Sequence, residues 1–138
     1  MRLRKNAKVE LLKAVPLFSH CTKKELEAVA AETDELGVAD GTTLTRQGEH
    51  GREFVVIVDG SADVHSNGRR INRLGAGDFL GEIALISGAP RTATVTTTSA
   101  SVLLVLTDRA FWRVVKRVPS VQGSIMRALS ERLQADAL

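Results

Sequence analysis

The chain has 138 residues, 43% hydrophobic and 25% charged, which is enough apolar material for a core without staples and too much for a disordered segment. Its net charge of +3, from 19 Lys and Arg against 16 Asp and Glu, is a modest excess that by itself names no polyanionic partner. A single cysteine, Cys21, excludes an internal disulfide and agrees with a reducing cytoplasm, and Tyr is absent, so the core must rest on Val, Leu, Ile and Ala.

The opening "MRLRKNAK" groups Arg2, Arg4, Lys5 and Lys8 but lacks the apolar run of a signal peptide. No window approaches the ~18–20 apolar residues of a membrane span. Nucleic-acid binding would also want a recognition helix or a stacking platform, and neither is visible. Residues 6–32 read as helical: "VELLKAVPLF" has apolar residues at helical spacing until Pro16 breaks it. In "SHCTKKELEAVAAE", Thr22 and Glu25 have the spacing of a capping box, with Leu26, Val29 and Ala30 as the buried stripe.

From about Thr33 to Thr107 short β-prone runs alternate with glycine turns, among them "EFVVIVDG", "SADVHSNG", "TATVTTT" and "SVLLVLT". Asn67-Gly68 is the best tight-hairpin signal in the chain. This pattern predicts an antiparallel roll or barrel and not βαβ units. The helical period returns at Asp108, a good N-cap, for "DRAFWRVVKRV"; Pro119 then suits the first turn of a last helix whose Ile125, Leu129 and Leu133 share one face. The expectation is one mainly β domain over 1–138 with flanking α: N-terminal helices in 1–32, an antiparallel β-roll (a jelly-roll-like barrel) in 33–107, and two C-terminal helices in 108–138.

The chemistry concentrates in "FLGEIALISGAPRTATV", residues 79–95. A strand ends at Phe79-Leu80, Gly81 frees the backbone, and "EIALIS" is long enough for one or two helical turns. A helix start after glycine presents unpaired N–H groups and a positive dipole end. Pro90 turns the chain back, so Arg91 returns to the neighbourhood of Gly81 to Ala84, and an arginine fork beside free amides points to a phosphate. Glu82 is wrong for the phosphate itself but suits a neighbouring ribose hydroxyl, as the acid of the dinucleotide fingerprint does. On spacing alone, a Glu82–Arg91 salt bridge across the turn is an equal reading.

"GEIALISGAPRTATV" resembles the phosphate-binding cassette of the cyclic nucleotide-binding domain family, which includes the regulatory subunit of cAMP-dependent protein kinase and the bacterial catabolite activator protein. The resemblance extends to nearly the whole chain, from "VPLFSHCTKKELEAVA" through "GTTLTRQGEHGREFVVIVDGSADV" and "GAGDFLGE" to "DRAFWRVVKRVPSVQGSIMRALSERLQ". It implies that Glu82 binds the ribose 2′-hydroxyl and Arg91 the exocyclic phosphate oxygens. Backbone amides of Ile83, Ala84 and Ala93 would complete the cradle, with Gly81 allowing close approach. Thr92 falls where a family hydroxyl reaches phosphate or a guanine edge, and Val64, Asn72 and Leu74 fall where strands line the base pocket. The final helix would act as a lid through Leu133 and Asp136, close to Leu138.

The implied ligand is cAMP, with cGMP left open by Thr92, and the implied role is regulation: the ligand biases the helices around a rigid roll. No enzyme activity is expected, because no Ser/His/Asp set is evident. A cupin-like metalloenzyme would want clustered histidines, whereas His20, His50 and His65 show no metal-type spacing, so no metal is expected. The other rival is a roll of the same family that binds another ligand or a protein. The chain ends where the last helix would extend into a dimer coil or an effector. The expected partner is therefore a protein in trans or a missing effector domain, with dimerisation through the last helix open and no direct DNA contact.

Overall fold

A computed structural model describes residues 3–137, and the side chains of 83–85 and 132–137 lie outside that description. The chain opens with helix α1 (Lys5–Lys13), a 3-10 turn at Pro16–Phe18 and helix α2 (Lys23–Ala31). Pro16 stands at the start of that turn, where its missing N–H is harmless. Both halves of the capping box on α2 are formed: Thr22 Oγ1 accepts from Glu25 N–H at 3.1 Å and Glu25 Oε1 accepts from Thr22 N–H at 2.8 Å.

Eight strands follow: β1 (Asp34–Val38), β2 (Thr43–Thr45), β3 (Glu53–Asp59), β4 (Ala62–Ser66), β5 (Arg69–Leu74), β6 (Phe79–Leu80), β7 (Thr94–Thr97) and β8 (Ser101–Thr107). They form two antiparallel four-stranded sheets, ordered β1-β8-β3-β6 and β2-β7-β4-β5. The β4–β5 hairpin turns on Asn67 and Gly68, both at positive φ (54° and 79°), as a primed turn requires. Helix α3 (Glu82–Ser87) lies between β6 and β7, and α4 (Asp108–Arg117) and α5 (Pro119–Ala137) close the chain. The N-cap of α4 is Thr107, whose hydroxyl accepts from Ala110 N–H at 3.1 Å. Asp108, the sequence's candidate cap, is instead the first helical residue, where its charge still complements the dipole.

Alternation along β3 and β8 explains why they read as continuous apolar runs. Phe54, Val56, Leu104 and Leu106 point to the helices, into a core with Phe18, Leu26, Val29, Phe111 and Val121. Val55, Ile57, Leu103 and Val105 point the other way, against Ala62 and Val95 of the second sheet. Phe18 and Phe54 meet edge to face, with centroids 6.1 Å apart, joining the 3-10 turn to β3. Glu25 also accepts from Ser120 Oγ at 2.9 Å, tying the start of α2 to the start of α5. Cys21 is buried beside this junction, and burial, with the nearby Glu25 charge, pushes its thiol up to about 11.

Candidate functional site

The cassette is held at the mouth of the roll by its neighbours in space. β6 pairs with β3 at Val55↔Leu80 and Val56↔Phe79, so the sheet delivers the chain to Gly81, which turns it at φ +91° into α3. After α3 the chain turns through Gly88 (φ +69°) to Pro90, which bridges to His50 of the β2–β3 loop. Arg91 N–H donates to Glu49 O at 2.7 Å and Gly48 N–H donates to Arg91 O at 2.8 Å. Two loops distant in sequence are thereby zipped together at the arginine.

The guanidinium of Arg91 lies between two glycines. A methyl at Gly51 would overlap Nε, Cζ and Nη2, and one at Gly81 would overlap Nη1 and come within 2.6 Å of Glu53 O. Nη2 donates to Glu53 O at 2.5 Å. Nε is buried and has no hydrogen-bond partner among the described residues. Burial lowers the arginine's pKa from its ordinary value and the Glu53 carboxylate opposes that shift; the group stays a cation. A desolvated guanidinium with an unused N–H is a poor arrangement in isolation and a good one for an incoming oxyanion.

A cavity of about 220 Å³ opens on this arginine. Of the residues singled out in the sequence, Val64, Leu74, Gly81, Arg91, Thr92 and Ala93 line it. Thr45, Phe79, Leu80 and Val95 complete the wall. Thr45 is buried there, with its hydroxyl donating to Ala93 O at 3.0 Å. The wall is thus apolar strand side chains with one cation and two hydroxyls, which fits a phosphate-bearing ligand with a flat apolar portion. A second cavity, of about 300 Å³, shares Thr45 and Arg91 with the first and is also lined by Gly51 and Arg52. A larger one, of about 520 Å³ beside α1 and β1, holds Lys5 and Lys8 already paired with Glu27 and Glu35, so its charges are spent locally.

The remaining candidates are not among the described lining residues. Glu82 is half-buried and is not among the lining residues; its carboxylate accepts the backbone N–H of Leu17 in the 3-10 turn. Burial raises its pKa above the usual carboxylate value, and the Leu17 hydrogen bond pulls the other way. No Glu82–Arg91 ion pair exists among the described residues, so the salt-bridge reading of their spacing is set aside. Asn72 shares a sheet face with Val64, its cross-strand partner, but sits exposed on the edge strand β5 with its carboxamide on Arg73 N–H at 2.8 Å. Ile83 and Ala84 are in α3, with their side chains outside the description. Leu133 and Asp136 belong to α5, in the part whose side chains are likewise not described. Among the described residues no three His, Cys, Asp or Glu gather as a metal would need.

Sequence reasoning missed Gly51, Glu53 and Thr45, and it placed Phe79, Leu80 and Val95 in the cassette stretch without assigning them to the cavity wall. The repeated glycine of "QGEHG" was the one available signal for Gly51. Nothing local marks the Glu53 carbonyl as a partner of Arg91.

Residues 36–118 match the family model of the cyclic nucleotide-binding domain. The chain belongs to the cyclic nucleotide-binding domain family. This cyclic nucleotide-binding domain is 32% identical over 115 residues to a cAMP-dependent protein kinase regulatory subunit of Mycosarcoma maydis, covering 77% of the chain and 22% of that protein. It is 34% identical over 123 residues to a cyclic nucleotide-gated potassium channel of Rhizobium etli, covering 89% of the chain and 34% of the channel. It therefore spans about a third or less of these relatives. Among solved structures, the N-terminal domain of a transcriptional regulator from Streptomyces coelicolor A3(2) superposes with a TM-score of 0.79 at 27% identity, over 92% of both chains. The regulatory domain of Toxoplasma gondii PKA, crystallised with cAMP, gives 0.74 at 28% identity, over 96% of this chain and 50% of that one. The family's fold, a roll of antiparallel sheets with N-terminal helices and two C-terminal ones, is the fold described above.

Proposed function

We propose that this domain is a cyclic nucleotide sensor that binds cAMP, with cGMP as the competing ligand, and acts by repositioning its C-terminal helices and not by catalysis. The observation that carries the reading is the Arg91 guanidinium, held between Gly51 and Gly81 with its Nε buried and without a hydrogen-bond partner among the described residues, in the wall of an apolar cavity. The phosphate would take the positive charge and the guanidinium N–H groups on the Gly81 side, and the apolar wall of Val64, Leu74 and Val95 would take the purine. Backbone amides of Ile83, Ala84 and Ala93 would add donors. Relatives and solved neighbours named for cAMP binding support this ligand class.

Coupling to the helices follows from packing. α3 packs against β3 and α5, and α5 packs against the 3-10 turn. In this reading, Glu82 exchanges the Leu17 amide for the ribose 2′-hydroxyl when ligand arrives, so the same step that captures the sugar releases the 3-10 turn. The end of α5, with Leu133 and Asp136, then closes over the base. The regulated partner would be a protein in trans or a further domain, in the cytoplasm, and dimerisation through α5 belongs to the same proposal.

Isothermal titration with cAMP and with cGMP, on wild type and on Arg91→Ala, tests the reading. Wild type should bind one of them, and loss of a charge-assisted contact should weaken binding by about 100-fold. Silence in wild type, or undiminished binding by the variant, overturns it in favour of a roll with another ligand.

A further inference from the structure

The outward face of α4 carries a feature that ligand binding does not use. Arg109, Trp112, Arg113 and Lys116 recur at i, i+3, i+4 and i+7 and therefore form one stripe. All four are exposed, while Ala110, Phe111 and Val114 are buried on the opposite side. Trp112 is 43% exposed, and its indole rests edge-on against the fully buried Phe111, with centroids 5.2 Å apart at 73°. The ring is thereby braced and not left to fold back onto the body. Arg113 and Arg117 share the single acid Glu32, at 2.9 and 3.9 Å. Arg109 and Lys116 have no ion-pair partner among the described residues. The helix thus sets four cations against Glu32 and Asp108.

We infer that this face of α4 is a peripheral docking surface for an anionic lipid bilayer. The charge complement is direct, because a leaflet rich in anionic headgroups attracts each nearby Lys or Arg. The apolar complement is also the right one: tryptophan prefers the headgroup boundary, where the indole body is buried and its N–H stays wet. A specific protein interface would want about 800 Å² per partner around a central apolar cluster, and a single indole ringed by cations on a convex helix offers no such cluster. A 10-residue helix is about 15 Å long, so the stripe meets a plane along its whole length. The inner face of α4 is committed to the core, so the contact is superficial and does not bury the helix. The inference does not rest on nucleotide binding.

Trp112 is the only tryptophan, so its emission reads this face alone. The whole protein is mixed with vesicles of phosphatidylcholine, or of phosphatidylcholine with phosphatidylserine, at about 0.15 M salt. Co-sedimentation with the anionic vesicles and a blue shift of Trp112 emission are expected, both fading as salt rises. Arg109→Ala combined with Lys116→Ala removes two cations and should weaken vesicle binding by roughly 30-fold. Both side chains are exposed, so the unfolding midpoint should hold; if it does not, the salt titration of wild type carries the test. The inference is overturned by equal binding to the two vesicle types or by sedimentation without an emission shift. It is equally overturned by undiminished binding of the double variant, or by an emission shift with duplex DNA or an acidic protein and none with vesicles.

Discussion

Gly51 stands where any larger residue would overlap the guanidinium of Arg91, although the two are forty positions apart. The neighbours of a Cβ at Gly51 are all atoms of that one side chain, and its backbone is not left-handed. Gly51→Ala should therefore leave the fold intact and displace the arginine. About 10- to 100-fold weaker cyclic nucleotide binding is expected, the value of one charge-assisted hydrogen bond, with little change in urea midpoint. Unchanged affinity would mean that the arginine's setting is immaterial.

Gly81 should behave differently. It adopts φ +91°, and an added methyl meets the Glu53 carbonyl as well as Arg91. Gly81→Ala should lose about 1–3 kcal/mol of folding stability through backbone strain, in addition to losing affinity. Urea unfolding followed alongside titration separates the two glycines.

Glu82 gives a pH signature. Its folded pKa is raised, chiefly by burial, so between the ordinary value of 4.5 and the folded value the native state holds more protons than the unfolded chain. Stability should fall as pH rises through that window. Glu82→Gln removes the charge yet keeps an oxygen for Leu17 N–H, so it should flatten this slope and stabilise the protein at neutral pH. Unfolding midpoints across a pH series decide the matter; a slope unchanged in the variant assigns it to another group.

Thr22→Ala removes one half of the capping box and should cost about 1 kcal/mol. Glu25→Ala removes the other half and also the acceptor of Ser120 Oγ, so it should cost more and loosen α5 as well as α2. Hydrogen exchange at residues 120–124 distinguishes the two: faster exchange there is expected in Glu25→Ala and not in Thr22→Ala.

These contrasts show where the sequence was readable. The capping box at Thr22 and Glu25, the Asn67-Gly68 turn and the break at Pro16 are local, because their partners lie within four residues. The proximity of Arg91 to Gly81 also followed from a short connection and a turn. What stayed hidden depends on contacts between distant segments. Glu82 meets Leu17, Arg91 meets Gly51 and the Glu53 carbonyl, and Thr45 reaches the cavity only because the second sheet folds over it. Asn72, assigned to the pocket wall by resemblance, stands opposite Val64 but is exposed on an edge strand, and only the strand order reveals that β5 is an edge.

The buried, hard-to-ionise Cys21 has a practical consequence. With its pKa pushed to about 11, this thiol is almost entirely protonated at neutral pH, so although it lines a cavity beside α1 and α2 it should react with maleimides far more slowly than an exposed cysteine. A cysteine introduced on an exposed position of α5 would then be labelled first in a brief reaction. A fluorophore placed there could follow the last helix during ligand addition.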